Sequence, residues 1–427
     1  EIYTLSLHDA LPIWADDITW TEVSTADELQ NAVTNNMTNI KLTADIDGSS
    51  LDYNAGDLDI RYTVTLDLNG HKLSSSGSSY GTIYVGDGAN VTIVDNSESK
   101  SGIIENKTGK GIVQAGGTLT VSGGTVTGTT ASINCVGGVL NINEGTITGS
   151  CQYGAILCQG GTVNVTNGTI SSTDKNKDCL RIEGGKLNVS GGEVTGGRCG
   201  VNSTGGETTV GENASIGGIT YGIYADSGII NISGGSITGN ERGINVLNAT
   251  TLNMTNGTVK STSNEGQGIR VNTGATGNVT ISGGTVSGIL NSLALYNSGG
   301  NTEISGGTFN GWVEVAAGTN GGENHYKNVT ISGGAFNHGL VAKIESRPQI
   351  TGGTFKGKML SNNYGPEITG GVFVYNPSVA GTYSRDDYVK DGSAVVRLTN
   401  DDTYKYGVIA GAPTISVTAT SETNSKT

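Results

Sequence analysis

The side chains of this 427-residue chain that could do chemistry gather between Cys135 and Glu314. A short pattern, Gly-Ile-x-Val and its variants, recurs there. Setting the copies under one another gives one outward column: Asn134, Leu157, Arg181, Asn202, Tyr224, Asn245, Arg270, Ala294 and Glu314. Arg181, Tyr224 and Arg270 could bind a glycan, with planar guanidinium groups donating hydrogen bonds and an aromatic ring offering a stacking face. Two positions further along lie Glu183, Thr204 and Asp226. If the copies stack as neighbouring strands, Glu183 and Asp226 are two strands apart, about 9–10 Å. That is at the outer limit of the roughly 6.5–9.5 Å an inverting glycosidase needs between its carboxylates. Such a pair also needs one carboxyl with a raised pKa, and nothing in the surrounding sequence signals the burial that would raise it. Glu183 and Asp226 stand as candidate catalytic carboxylates, with no complete catalytic motif around them.

Other reactive groups point to structure. All five Cys lie between positions 135 and 199. Cys135 and Cys158 each precede a Gly pair by two residues, so they take equivalent, inward positions in neighbouring copies. Buried thiols behave as small hydrophobes, which is the reading preferred for both. A disulfide also fits, because neighbouring strands hold Cα atoms within the bridging range of about 4.4–6.8 Å. No Cys-x-x-Cys or His-Cys zinc spacing occurs, and the calcium-binding nonapeptide repeat is absent, so neither a metal nor another cofactor is expected. Of the four His, one lies in the first 13 residues, His71 falls early, His325 reads as loop, and His338-Gly339 is far from any Asp pair. Asp174 and Asp178, just ahead of Arg181, read as a solvated loop. A Thr-x-Thr array at Thr125/Thr127 and Thr146/Thr148 has the chemistry of an ice-binding face. Glu193, Lys260, Asn310 and Lys356 interrupt it, and Thr is a common outward strand residue in any case.

The elements that must hold these residues are set by a repeat. SGGTV at Ser122–Val126 returns as NEGTI, TNGTI, SGGEV, SGGSI, TNGTV, SGGTV, SGGTF, SGGAF, TGGTF and TGGVF. The second Gly recurs at 124, 145, 168, 192, 235, 257, 284, 307, 334, 353 and 371, past one degenerate copy at Asn213–Ile216. The steps run from about 18 to 27 residues, the range of solenoid repeats. Each copy holds three short strands, as in Gly268–Val271, Val279–Ser282 and Thr285–Gly288. Alternation places Ile269, Val271, Val279, Ile281 and Val286 on one face. Glycines at the corners allow the positive φ of a sharp turn. Three strands per copy and no intervening helix predict a right-handed parallel β-helix, an all-β solenoid whose coils bury a core only by stacking. The chain's four Phe, at 309, 336, 355 and 373, all take one repeat position. Val or Ile fills that position in the earlier copies, which predicts a single inward column turning aromatic toward the C-terminus.

The ends depart from the repeat. Thr25-Ala26-Asp27-Glu28 is a capping box ahead of Leu29, Ala32 and Val33, predicting a short amphipathic cap helix. The cap with its first strand is placed at 14–45, the β-helix at 46–375, a strand-rich C-terminal cap at 376–412 and a linker, or the start of a further domain, at 413–427. The first segment, Glu1–Ile13 (EIYTLSLHDALPI), resembles the translation of a sequencing adapter. On that reading the coding sequence starts near Trp14 and has lost its beginning, signal peptide included.

Composition narrows the function classes. With 70 Gly and 5 Pro the chain is not collagen-like, and aromatic residues are only 5%. The formal net charge of −14 disfavours nucleic acid and anionic membrane surfaces as partners. No run approaches the roughly 18 apolar residues of a membrane span, so direct membrane insertion is not expected. The Gly-Gly-Thr repeats resemble those of bacterial surface proteins in the broad pectin-lyase-like β-helix group, over about Trp20 to Ile409. That resemblance implies an extracellular or cell-surface placement and a host or cell-wall glycan or polysaccharide as partner. It does not settle activity, since the fold hosts lyases, hydrolases, adhesins and stalks. Hydrolases of that group carry Asn-Thr-Asp, Asp-Asp and His-Gly signatures on adjacent coils, and this chain lacks the set. The leading expectation is a non-enzymatic adhesin, glycan-binding surface or stalk. The alternative is a polysaccharide lyase or glycoside hydrolase with an unrecognised active site.

Overall fold

The computed structural model describes residues 19–51, 58–76, 81–289, 293–316, 329–343, 346–361, 365–378 and 388–411. Glu1–Ile13, His325 and the 413–427 segment lie outside the described residues. Nearly all the regular structure is strand, and the strands stack as about 14 parallel coils of a β-solenoid. Each coil contributes one strand to each of three long parallel sheets. In mid-chain, Ala131–Cys135 belongs to the first sheet. The strand Val139–Gly149 turns a corner and serves both the second and the third.

The reason is visible in the burial pattern. Along Thr118–Thr127 the buried side chains are Leu119, Val121 and Val126, while Thr118, Thr120, Thr125 and Thr127 are only partly covered. Register then stacks like on like. Val126 pairs with Ile147, Ile147 with Ile170, Ile170 with Val194, and so on through Ile216, Ile237, Val259 and Val286 to Phe309. The last four members of this column are the four Phe, all buried and stacked face to face. Ring centroids lie 4.8, 4.6 and 4.9 Å apart, with planes within 3–7° of parallel. The ring spacing follows the strand spacing of about 4.8 Å, so the backbone ladder sets the stack.

The corner between the second and third sheets is where the repeated Gly pair sits. Its second Gly takes positive φ at every one of the predicted positions, from +71° at Gly124 to +108° at Gly371. The Thr-x-Thr face forms part of the third sheet. Thr125, Thr146 and Thr169 stack in register, and Glu193 follows directly, so the array is interrupted as expected.

At the N-terminal end, helix α1 (Ala26–Thr34) carries the predicted capping box: Glu28 N–H donates to Thr25 Oγ1, and the Glu28 carboxylate accepts from the Thr25 N–H. Leu29, Ala32 and Val33 are its buried face. Thr21–Val23 already pairs in parallel with Ile40–Leu42, so coil stacking starts ahead of α1. At the other end, Ser393–Arg397 and Tyr406–Ala410 form an antiparallel hairpin whose second strand also pairs antiparallel with Gly371–Phe373. The parallel ladder of the third sheet thereby ends in an antiparallel strand.

All five Cys are buried and unbridged. Cys135 and Cys158 face each other in register, and each thiol also donates to backbone carbonyls. The contact with the Cys158 thiol, and burial after it, push Cys135 well above the ordinary thiol value. Burial pushes Cys179 up to about 12. Labelling needs an accessible thiolate and all three of Cys135, Cys158 and Cys179 are fully buried, so a maleimide at pH 7.5 should leave them unlabelled in the native protein and modify all three in denaturant. Rapid native labelling of Cys135 or Cys158, read by mass spectrometry, would remove both from the core.

Candidate functional site

The column expected to face outward on the first sheet runs Asn134, Leu157, Arg181, Asn202, Tyr224, Asn245, Arg270, Tyr296 and Glu314 in continuous register, but Asn134, Leu157, Asn202, Asn245 and Glu314 are buried and only Arg181, Tyr224, Arg270 and Tyr296 are part-exposed. One expected member is corrected. Tyr296, not Ala294, stands opposite Arg270, because the strand Leu293–Asn297 pairs Leu295 with Ile269. Ala294 is fully buried. Arg181, Tyr224 and Arg270 therefore share one column as expected, with two coil steps from each to the next.

Around them the coils bring together residues that the sequence had not marked. The Arg198 guanidinium lies 5.5 Å from the Tyr224 ring centre, Arg242 5.3 Å from Tyr221, and Arg270 5.0 Å from Tyr296. The Tyr221 and Tyr224 rings are 5.3 Å apart and tilted by 43°. Each of these side chains is half-buried. Their polar ends are joined. Arg242 donates to Asn245 Oδ1 (3.2 Å) and to Gln267 Oε1 (3.1 Å), and Asn272 donates to the same Asn245 oxygen (2.7 Å) while accepting from Arg270 Nε (3.1 Å). Cation–π contact and these bonds fix the guanidinium planes before any ligand arrives.

Asp178 overturns its expected place in a solvated loop. It is 8% exposed and accepts from Arg198 through Nε (3.2 Å) and Nη2 (3.0 Å), and from Asn202 Nδ2 (2.6 Å). Arg198 and Asn202 lie some 20 residues further along the chain, on the next coil, so no local pattern around Asp178 reveals the pairing. Asp178 positions the guanidinium that packs on Tyr224. Asn202, 4% exposed, is left with a buried Oδ1 that has no hydrogen-bond partner among the described residues. A buried amide oxygen in that state is an uncommon cost, of about 1–3 kcal/mol.

The candidate carboxylates fall two coils apart, as expected. Glu183 is exposed and accepts from Arg181 Nε at 3.0 Å and from Gln159 Nε2 at 3.3 Å. Asp226 accepts from Asn248 Nδ2 at 2.6 Å. Each is held by its own neighbours, and no side chain bonds to both in these contacts. Comparisons of the chain with family models, with curated proteins and with solved structures find no match.

Among the described residues no group of three His, Cys, Asp or Glu side chains could hold a metal ion, and no helix is long and apolar enough to cross a membrane. His71 Nδ1 lies 3.5 Å from the Asp45 carboxylate, remote in sequence from the tyrosine–arginine face. The second sheet has a shallow depression lined by Asn278, Thr280, Asn301 and Glu303, with no aromatic or cationic side chain in its lining.

Proposed function

We propose that this is an extracellular or cell-surface β-helix that binds glycan along the outer face of its first sheet. It would act as an adhesin or glycan-binding surface, or as the stalk that presents one, and would do no catalysis there. The observation that carries the reading is the fixed set of tyrosine–arginine stacks at Tyr221, Tyr224 and Tyr296. Tyr224 and Tyr296 stand three coil steps apart, about 14 Å along the axis at the usual strand spacing. That length suits a short oligosaccharide lying along the solenoid. Half-buried tyrosines offer an apolar ring edge or face beside a polar tip, and the arginine forks and amides between them supply hydrogen bonds in fixed directions. A rigid β-scaffold keeps these groups in place at little entropic cost on binding. The two acidic residues that could have made a hydrolytic pair, Glu183 and Asp226, are each tied to other side chains.

The test is retention on immobilised host and cell-wall polysaccharides. Tyr224→Ala and Tyr296→Ala should each weaken binding by about tenfold, the scale of one good stacking or hydrogen-bonding contact. Thr308→Ala, on the third sheet, should leave it unchanged. Binding indifferent to both tyrosines, in variants whose circular dichroism matches the parent, would defeat the proposal. Release of shortened or unsaturated sugars by the parent would point to lyase or hydrolase activity instead.

A further inference from the structure

Arg242 and Arg270 differ from the other arginines around the first sheet. Arg61 has Asp59 at 2.9 Å, Arg181 has Glu183 at 3.0 Å and Arg198 has Asp178 at 3.0 Å. Arg242 and Arg270 have no carboxylate within ion-pair distance among the described residues, although the chain carries an excess of acidic groups, with a formal net charge of −14. Both guanidinium groups come from neighbouring strands, where Asn245 stands opposite Arg270. They are tied into one network through Asn245 and Asn272 and backed by Tyr221 and Tyr296. Two like charges are thus held close with fixed orientation and without an ion-pair partner among the described residues. Burial, and after it the charge of Arg242, holds the Arg270 guanidinium below its ordinary value. An anion placed between the two would relieve that repulsion and meet two forks of donors.

We infer that the ligand of this face is an anionic glycan, whose carboxylate or sulfate group is held between Arg242 and Arg270. This rests on the glycan reading of the same face and adds the charge of the ligand and its position. Carboxylate and sulfate present the same chemistry to two guanidinium groups, so the probes separate them.

The experiment uses calorimetric titration of the full chain at low and at physiological salt. The probes are an alginate hexasaccharide, its carboxyl-reduced neutral counterpart and a sulfated galactan hexasaccharide. The parent should bind one or both anionic probes, more weakly as salt rises. Arg242→Gln with Arg270→Gln should lower that affinity at least about tenfold and flatten its salt dependence, since charge-assisted bonds are the stronger kind. Affinity for the neutral probe should fall by clearly less, since it loses hydrogen bonds but no charge pairing. The double Lys variant, which keeps the charge and loses the fork, should recover part of the binding and shows that loss in the Gln variant is not loss of fold. Preference for alginate assigns the group as carboxylate, and preference for the galactan assigns it as sulfate. Anionic binding unaffected by the Gln pair, or an equal loss for neutral and anionic probes, overturns the inference. So does binding of the neutral probe alone, and in that case a dependence on Tyr224 leaves the glycan reading standing. No binding by any of the three probes, together with no retention on the polysaccharide panel, overturns both.

Discussion

Phe336→Ala should destabilise the protein by about 3–5 kcal/mol, the usual cost of emptying a packed aromatic site. Phe336 is fully buried, and its ring sits between those of Phe309 and Phe355 at 4.8 and 4.6 Å. Truncation therefore removes the ring's own burial and also a stacking partner from each neighbour. The cavity cannot close easily, because the coils above and below are held at ladder spacing by their backbone hydrogen bonds. Thr308, one residue before Phe309 and on the outer side of the same strand, should cost well under 1 kcal/mol on truncation to Ala. The damage should also be confined, since each coil touches only its neighbours. Amide exchange in Phe336→Ala is expected to rise from about Phe309 to the C-terminal hairpin, while Val121–Val194 stays protected. Equal sensitivity at positions 308 and 336, or uniform loss of protection along the chain, would contradict this account of the core.

The second large effect concerns the corners. Gly161 and Gly274 both have positive φ, +71° and +86°, so an added Cβ carries a similar conformational cost at each, roughly 1–2 kcal/mol. Their surroundings differ. A Cβ on Gly161 would lie 2.5 Å from the Gly138 carbonyl oxygen and 2.8 Å from the Gly137 carbonyl carbon, both backbone atoms of the preceding coil. That same Gly138 oxygen accepts from the Thr162 N–H at 2.9 Å, so moving away from the clash would break a rung of the ladder. A Cβ on Gly274 would meet nothing within 4 Å. Gly161→Ala should therefore lose about 1–3 kcal/mol more than Gly274→Ala, the range for forced overpacking. Chemical denaturation of the two variants side by side measures the difference directly. Equal midpoints would mean that the corner tolerates a shift of one coil over the next.

The contrast between these glycines shows where sequence reading stops. Both are turn glycines by pattern, and both do take positive φ. Only the stack of coils tells which one has a carbonyl above its missing side chain. The same divide separates the core from the candidate site. The inward column from Val126 to Phe373, the facing of Cys135 and Cys158 and the Thr25–Glu28 capping box were all legible, because each depends on local rules. Side chains alternate with period two, the Gly pair marks the corner, and a capping box spans four residues. Once the corner is known, in and out are fixed for the few residues on either side.

The face of the first sheet obeys no such local rule. Tyr296 was displaced by Ala294 in the sequence alignment of coils because the stretch between Ser287 and Leu293 departs from the repeat, and counting from a neighbouring motif then errs by one pleat. Arg198, Tyr221 and Arg242 lie beside the variable corner between the third and first sheets, where no motif sets a frame. Asp178 looked like part of a polar loop until the next coil laid Arg198 and Asn202 across it. By itself the sequence determined that the chain coils, which residues face the core and where its corners turn, since those follow from periodicity and from the conformational freedom of glycine. The tertiary structure decided which outward side chains meet. Such contacts join residues about 20 to 30 positions apart, and their pairing depends on the lengths of the intervening turns as well as on the repeat.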